Sequence, residues 1–116
     1  MDAPPASRRG FEKQMMRYLF STFMLWLISK GPIHGYEILK RIEGERGMRM
    51  LAPSQIYPVL KNLTRMGLVT AERKMHGRRV RKVYHITGKG KEALREARRC
   101  VFQSSLKRQF LREMVA

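Results

Sequence analysis

Apolar and polar positions separate cleanly over residues 52–69, APSQIYPVLKNLTRMGLV. At about 100° per residue, Ile56, Val59, Leu60, Leu63 and Met66 gather on one side of a helix, and Ser54, Tyr57, Lys61, Asn62 and Arg65 spread over the other. Pro53 suits a first helical turn, and Gly67 supplies the left-handed stop that a Cβ would disfavour. The pattern predicts a helix of about three to four turns with one face for packing and one free. A helix this short fits across a DNA major groove; an ordinary amphipathic surface helix has the same pattern, and the flanking segments decide between the two.

Upstream, residues 11–28 are helical in rhythm but apolar almost all round. Phe11, Met15, Tyr18, Leu19, Phe23, Trp26 and Leu27 are too many for one stripe, and Met16, Phe20, Met24 and Ile28 cover a second side. One small domain cannot bury that whole circumference, so part of it is expected to meet a second copy of the chain. The competing expectation is a central core helix with a few exposed apolar residues. At 29–33, SKGPI ends this helix, because Gly31 stops it and Pro32 bars its continuation. The next helix is predicted from His34 or Gly35, with Ile38, Leu39 and Ile42 inward, up to the glycine-marked loop EGERG at 43–47. Residues 48–51 are too short to assign. Residues 1–10, MDAPPASRRG, are expected to form a flexible basic arm.

Downstream the rhythm changes to alternation. LVTAERK at 68–74 and VRKVYHI at 80–86 read as strands, with Val80, Tyr84 and Ile86 on one face, joined by a turn MHGRR at 75–79 in which Gly77 permits a tight hairpin. Five of the nine residues 74–82 are Lys or Arg. Charge on exposed strand edges blocks edge-to-edge aggregation, but its concentration at the turn, beside a candidate reading helix, favours contact with a phosphate backbone. Thr87 is a cap for a last helix reaching Met114, whose first turn Gly88 and Gly90 weaken. Lys89 and Lys91 sit where that helix's dipole disfavours cations, which a nearby phosphate would explain; without one it is a tolerated surface feature. Leu94, Ala97 and Val101 form one stripe of this helix, and Phe102, Leu106, Phe110 and Met114 a second, rotated stripe, as if it served two partners.

Charge adds a partner class. Twenty-five Lys and Arg against nine Asp and Glu give a formal net charge of +16 on 116 residues, which points to a polyanion, nucleic acid first and anionic lipid second. The most apolar run, residues 19–28, falls well short of the roughly twenty residues needed to cross a bilayer, and no export signal is evident, so a cytoplasmic protein is expected. The single cysteine, Cys100, is expected to be a small packing residue. His34, His76 and His85 lack metal-ligand spacing, and no phosphate loop, nucleophile motif or carboxylate pair stands out. No enzyme activity, metal or cofactor is expected.

Together these elements predict a mainly α fold with a small β-hairpin (α+β): a winged helix-turn-helix with a C-terminal dimerisation helix, divided into the arm 1–10, a DNA-binding domain 11–88 and the dimerisation helix 89–116. GPIHGYEILKRIE at 31–43, APSQIYPVLKNLTRMGLV at 52–69 and RRVRKVYHITGKGKEAL at 78–94 closely resemble the PadR family of transcriptional regulators. The most specific signs are Gly31-Pro32 followed by His34-Gly35-Tyr36, the pair Tyr57-Pro58, and Tyr84 followed by Thr87. The resemblance spans residues 25–94 and implies a dimeric repressor of the short branch, with one helix after the wing. It implies binding to a palindromic operator, and a homodimer built by the first and last helices. Two positions depart from the pattern: Gln55 stands where the family often has serine, and Ala52 where serine or threonine often caps the helix. Glutamine can pair bidentately with adenine, and Ser54 can take over the cap. Pro58 costs an internal hydrogen bond, a feature the family shares.

The expected DNA contacts on the reading helix are Ser54, Gln55, Tyr57, Lys61 and Arg65, with Gln55 at a base edge and Tyr57 and Lys61 at phosphates. On the wing they are His76, Arg78, Arg79 and Arg81. The expected dimer interface contains Met15, Leu19, Trp26, Phe102, Leu106, Phe110 and Met114. Trp26, Phe23 and Tyr18 could also line a cavity for a small aromatic effector at that interface, as the resemblance implies, although aromatics at helical spacing are more often core. Double-stranded DNA is the expected partner, with no membrane. Two other classes stay open: a protein that coats DNA without sequence preference, and a basic winged-helix module for RNA or protein.

Overall fold

The computed structural model describes residues 8–45 and 53–116. Its elements run α1 (Arg8–Ser29), β1 (Ile33–His34), α2 (Gly35–Glu43), α3 (Pro53–Arg65), β2 (Val69–His76), β3 (Arg79–Ile86), α4 (Gly88–Phe102) and α5 (Ser105–Val115). The arm over 1–7, the unassigned stretch 48–51 and the cap position Ala52 lie outside the described residues. The core is one cluster in which Met24 and Ile28 of α1, Ile38 and Ile42 of α2, Ile56 and Leu60 of α3 and Val69 of β2 are fully buried. α2 and α3 bring the inward stripes that their periodicity marks, α1 adds Phe20, Met24 and Ile28, and Ala93 and Leu94 of α4 pack on the edge of the same cluster.

Helix ends follow the sequence closely at α3. Gly67 takes φ +77°, its amide donates to the Thr64 carbonyl at 3.0 Å, and the Leu68 amide donates to the Leu63 carbonyl at 3.0 Å. These two bonds form a Schellman stop, which needs a left-handed residue where Gly67 stands. Pro58 lies inside α3 and cannot donate to the Ser54 carbonyl, yet the helix continues through it.

Several expectations need correction. α1 begins at Arg8, so residues 8–10 of the expected arm are helical. The sheet has three strands in the order β1-β3-β2, because Ile33 and His34 pair antiparallel with Tyr84 and Val83 and add a short edge to the expected hairpin. The hairpin turn is shorter than MHGRR: His76 pairs with Arg79, leaving only Gly77 and Arg78 as the loop. Gly77 has φ +66° while Arg78 does not have a positive φ, the pattern of a type II′ turn. The last helix is two helices. Ser104 adopts an extended backbone (φ −127°, ψ 151°) and its hydroxyl accepts from the Lys107 amide at 3.0 Å, so it starts α5 as an N-cap. The Arg108 guanidinium donates to the Phe102 carbonyl at 2.9 Å and satisfies the end of α4.

Two residues also lie elsewhere than expected, and a third keeps its expected face outside the core. Met66, past the last turn of α3, is exposed and its sulfur meets the Asn62 amide at 3.6 Å. Val80 shares a face with Tyr84 but sits on the part of the wing that projects beyond the core. Cys100 is exposed rather than packed.

Candidate nucleic-acid interface

α3 presents two faces of opposite character. Ile56, Leu60 and Leu63 are buried against α1 and α2, while Ser54, Gln55, Tyr57, Lys61 and Arg65 are all exposed. No acidic side chain occurs in α3, so apart from Pro58 its outer face carries polar and cationic groups. Arg65 is held by a hydrogen bond from Nη2 to Asn62 Oδ1 at 2.8 Å, which makes Asn62, half-buried, a support of that face. Gln55 and Lys61 make no side-chain hydrogen bond or ion pair among the described residues and are free to meet a ligand.

Tyr57 is half exposed, with its ring over the start of α2. Gly35 is buried there, and a Cβ on it would come within 3.4 Å of Tyr57 Cε1 and 3.6 Å of Tyr84 Cε2. The motif residues Gly35, Tyr57 and Tyr84 thus meet at one point, where α2, α3 and β3 converge. Burial raises the Tyr84 phenol above its ordinary 10.0, and the neighbouring Tyr57 adds to the shift.

The wing carries its charge on two faces. Strand register puts Lys74, His76, Arg79 and Arg81 on one face and Arg73 and Lys82 on the other, with Arg78 at the tip. Arg78, Arg79 and His76 are exposed. Arg81 is half-buried, because its guanidinium lies over the Tyr36 ring at 4.3 Å from the centroid. The same ring stacks on His34 at 5.5 Å, and Lys40 Nζ stands 5.8 Å from it. His76 approaches His34 edge-on at 6.4 Å, although no cluster of three or more metal-ligating side chains occurs among the described residues. At the base of the wing, His85 Nε2 meets Glu72 Oε2 at 3.0 Å.

The seven residues expected at a dimer interface, Met15, Leu19, Trp26, Phe102, Leu106, Phe110 and Met114, are all exposed in the single chain. On α1, Phe11 and Tyr18 are exposed with them, while Leu27, read with the same set, is in the core. α5 buries none of its residues. Trp26 packs on Phe23 with ring centroids 5.9 Å apart and is covered on one side by the Lys30 ammonium at 5.0 Å.

The sequence reading missed Tyr36 as the platform for Arg81, although Tyr36 belongs to its most specific motif. For Lys89 it offered a nearby phosphate or a tolerated surface position, whereas Nζ donates to the Met66 carbonyl at 3.0 Å.

An exposed polar face on α3 beside a basic hairpin, on this order of elements, defines a winged helix-turn-helix protein. The chain belongs to the PadR-like family of transcriptional regulators, whose family model matches residues 24–96. The negative transcriptional regulator PadR of Bacillus subtilis is 37% identical over 75 residues, which are 63% of this chain and 41% of that protein. The chain thus spans about two fifths of the length of this curated relative. A crystal structure of Bacillus subtilis PadR in complex with operator DNA superposes with a TM-score of 0.60 at 35% identity, covering 67% of this chain and 45% of that one. The same protein in complex with p-coumaric acid gives 0.55 at 34%, covering 69% and 41%. A PadR-like transcriptional regulator from Bacillus cereus gives 0.69 at 28% identity, covering 84% of this chain and 95% of that one. No helix among the described residues is long and apolar enough to cross a membrane.

Proposed function

We propose that this chain is a homodimeric repressor that binds a palindromic operator in double-stranded DNA, with α3 as reading helix and the β2–β3 hairpin as wing. The division of α3 into a buried apolar face and an exposed face of Ser54, Gln55, Tyr57, Lys61 and Arg65 carries this reading. Gln55 reads a base edge, because its free amide can both donate and accept at an adenine. Lys61 and the Tyr57 hydroxyl hold phosphates, and Arg78, Arg79 and His76 carry the wing to the backbone or an adjacent minor groove. Arg81 reaches a phosphate only at the edge of its stack on Tyr36. The complex of the Bacillus subtilis relative with operator DNA supports the docking mode.

Residues 11–88 and 89–116 divide this work into DNA-binding domain and dimerisation segment, the latter comprising α5 and all of α4 but its first residue. Met15, Leu19 and Trp26 of α1 and Phe102, Leu106, Phe110 and Met114 at the other end form the dimer interface. Such exposed apolar surface is what a second copy would remove from water. A small aromatic effector fits the same interface near Trp26 and Phe23, a reading supported by the p-coumaric acid complex of the relative. The cytoplasm is the compartment such a regulator requires.

The net charge of +16 favours a second reading, a protein that coats DNA by its backbone alone. Competition binding at near-physiological salt separates them. A repressor prefers its operator over scrambled duplex by about a thousandfold or more, and a coating protein shows no preference. Within the first reading, Gln55→Ala relaxes sequence preference, while Lys61→Ala weakens all sequences and lowers the salt slope by about one.

A further inference from the structure

The first turn of α4 is fastened to the end of α3. Thr87 Oγ1 lies 2.7 Å from the Gly67 carbonyl oxygen and 3.0 Å from that of Leu68, and the Thr87 amide donates to the Leu68 carbonyl at 3.0 Å. The same hydroxyl accepts from the Gly90 amide at 3.0 Å. Lys89 Nζ donates to the Met66 carbonyl at 3.0 Å, and its methylenes run past Gly67, 3.8 Å from where a Cβ would stand. Gly90 is buried on this backbone so closely that a Cβ would overlap the Leu68 carbonyl oxygen and stand 2.7 Å from Ile86 Cγ1.

The carbonyls of Met66, Gly67 and Leu68 follow directly on the last turn of α3, where the helix dipole is negative and carbonyls lack intrahelical donors. All three are taken up by residues 87–89, and Lys89 brings a cation to the end of α3 that favours one. Within α4 alone both residues are unfavourable, since Lys89 is a cation at a helix start and Gly90 a glycine inside a helix. Their fit to α3 is what offsets this.

We infer that Lys89 and Gly90 are positioning residues for operator recognition. They fix the angle between α3 and α4, and so set the spacing between half-sites that the dimer accepts. The inference rests on the dimeric reading above, because α4 leads into the surface proposed to bind the second copy. From Gly90 to Phe102, α4 is a lever of about 18 Å at about 1.5 Å per residue. A tilt of about 10° at its root would displace the far end by about 3 Å, close to the rise of about 3.4 Å per base pair. A loosened root therefore blurs the spacing by about one base pair without touching any residue that meets DNA.

Selection from a pool of random duplexes, using the full chain, tests this through the spacing of recovered half-sites. The parent should select one spacing. Lys89→Met should recover neighbouring spacings as well, with affinity for an isolated half-site within about twofold of the parent. Lys89→Arg, which keeps a cationic donor, should restore the single spacing. Gly90→Ala should broaden it too, and if that variant does not fold, Lys89→Met decides alone. A single, identical spacing for the parent and Lys89→Met would overturn the positioning role while leaving the dimeric reading intact. A parent that selects isolated half-sites or no motif would overturn the dimeric reading, and this inference with it.

Discussion

The Arg81 guanidinium lies over the Tyr36 ring, 4.3 Å from its centroid, and by this contact the wing leans on the first turn of α2. The pair ties the wing to α2, which packs against the reading helix through the shared core. A cation over an exposed ring contributes about 0.5–1 kcal/mol. A double-mutant cycle with Tyr36→Leu and Arg81→Met, read by urea unfolding, should therefore give a coupling of about that size. Strict additivity would mean that the wing is not tethered here.

Gly35 sits under two aromatic rings, with room for a methyl group and little more. Gly35→Ala should leave stability within about 1 kcal/mol of the parent, because contacts of 3.4 and 3.6 Å are tight but tolerable. Gly35→Val should lose about 1–3 kcal/mol and displace Tyr57, the cost of overpacking a filled site. Thermal unfolding and the fluorescence of the tyrosines report the two effects. Equal stability of the Ala and Val variants would contradict the packing described at this junction.

Burial, with a smaller contribution from Tyr57, holds the Tyr84 phenol above its ordinary 10.0. The folded chain then keeps this proton at a pH where the unfolded chain has lost it. Its contribution to stability is complete below about pH 10 and is lost as pH rises through the folded value. The stability of Tyr84→Phe relative to the parent should thus be constant from about pH 7 to 9 and improve at about pH 10.5–11. A difference that does not change with pH would show that Tyr84 titrates alike in both states.

The proposed dimer interface is tested by charge. Leu106→Glu with Phe110→Glu would bury carboxylates in an apolar contact, at a cost of several kcal/mol per unpaired ion. Light scattering should report a dimer for the parent at tens of micromolar and a monomer for the variant, which should bind half-sites only weakly. A monomeric parent at that concentration would refute the dimer.

Much of this architecture is legible in local sequence because the signals are local. Gly67 and Thr87 mark the end of α3 and the start of α4 through bonds to near neighbours, and the inward stripe of α3 through Ile56, Leu60 and Leu63 needs only periodicity. What escapes has remote causes. β1 is two residues long and exists only through pairing with Tyr84 and Val83. Lys89 looks misplaced until Met66, 23 residues earlier, supplies its carbonyl. The break between α4 and α5 had a local sign in Ser104, hidden by apolar stripes that run on either side of it. Met66 and Val80 obey their periodicities but stand past the reach of the core, which no pattern along the chain can show.

Selection of genomic fragments by the full chain at near-physiological salt tests most directly whether α3 reads sequence as one half of a pair. The expected result is one enriched inverted repeat, its half-sites centred about one turn of DNA, roughly 34 Å, apart, with its sequence preference relaxed by Gln55→Ala. An even spread of fragments, unchanged by Gln55→Ala, would contradict operator recognition and leave a protein that coats DNA through its charge.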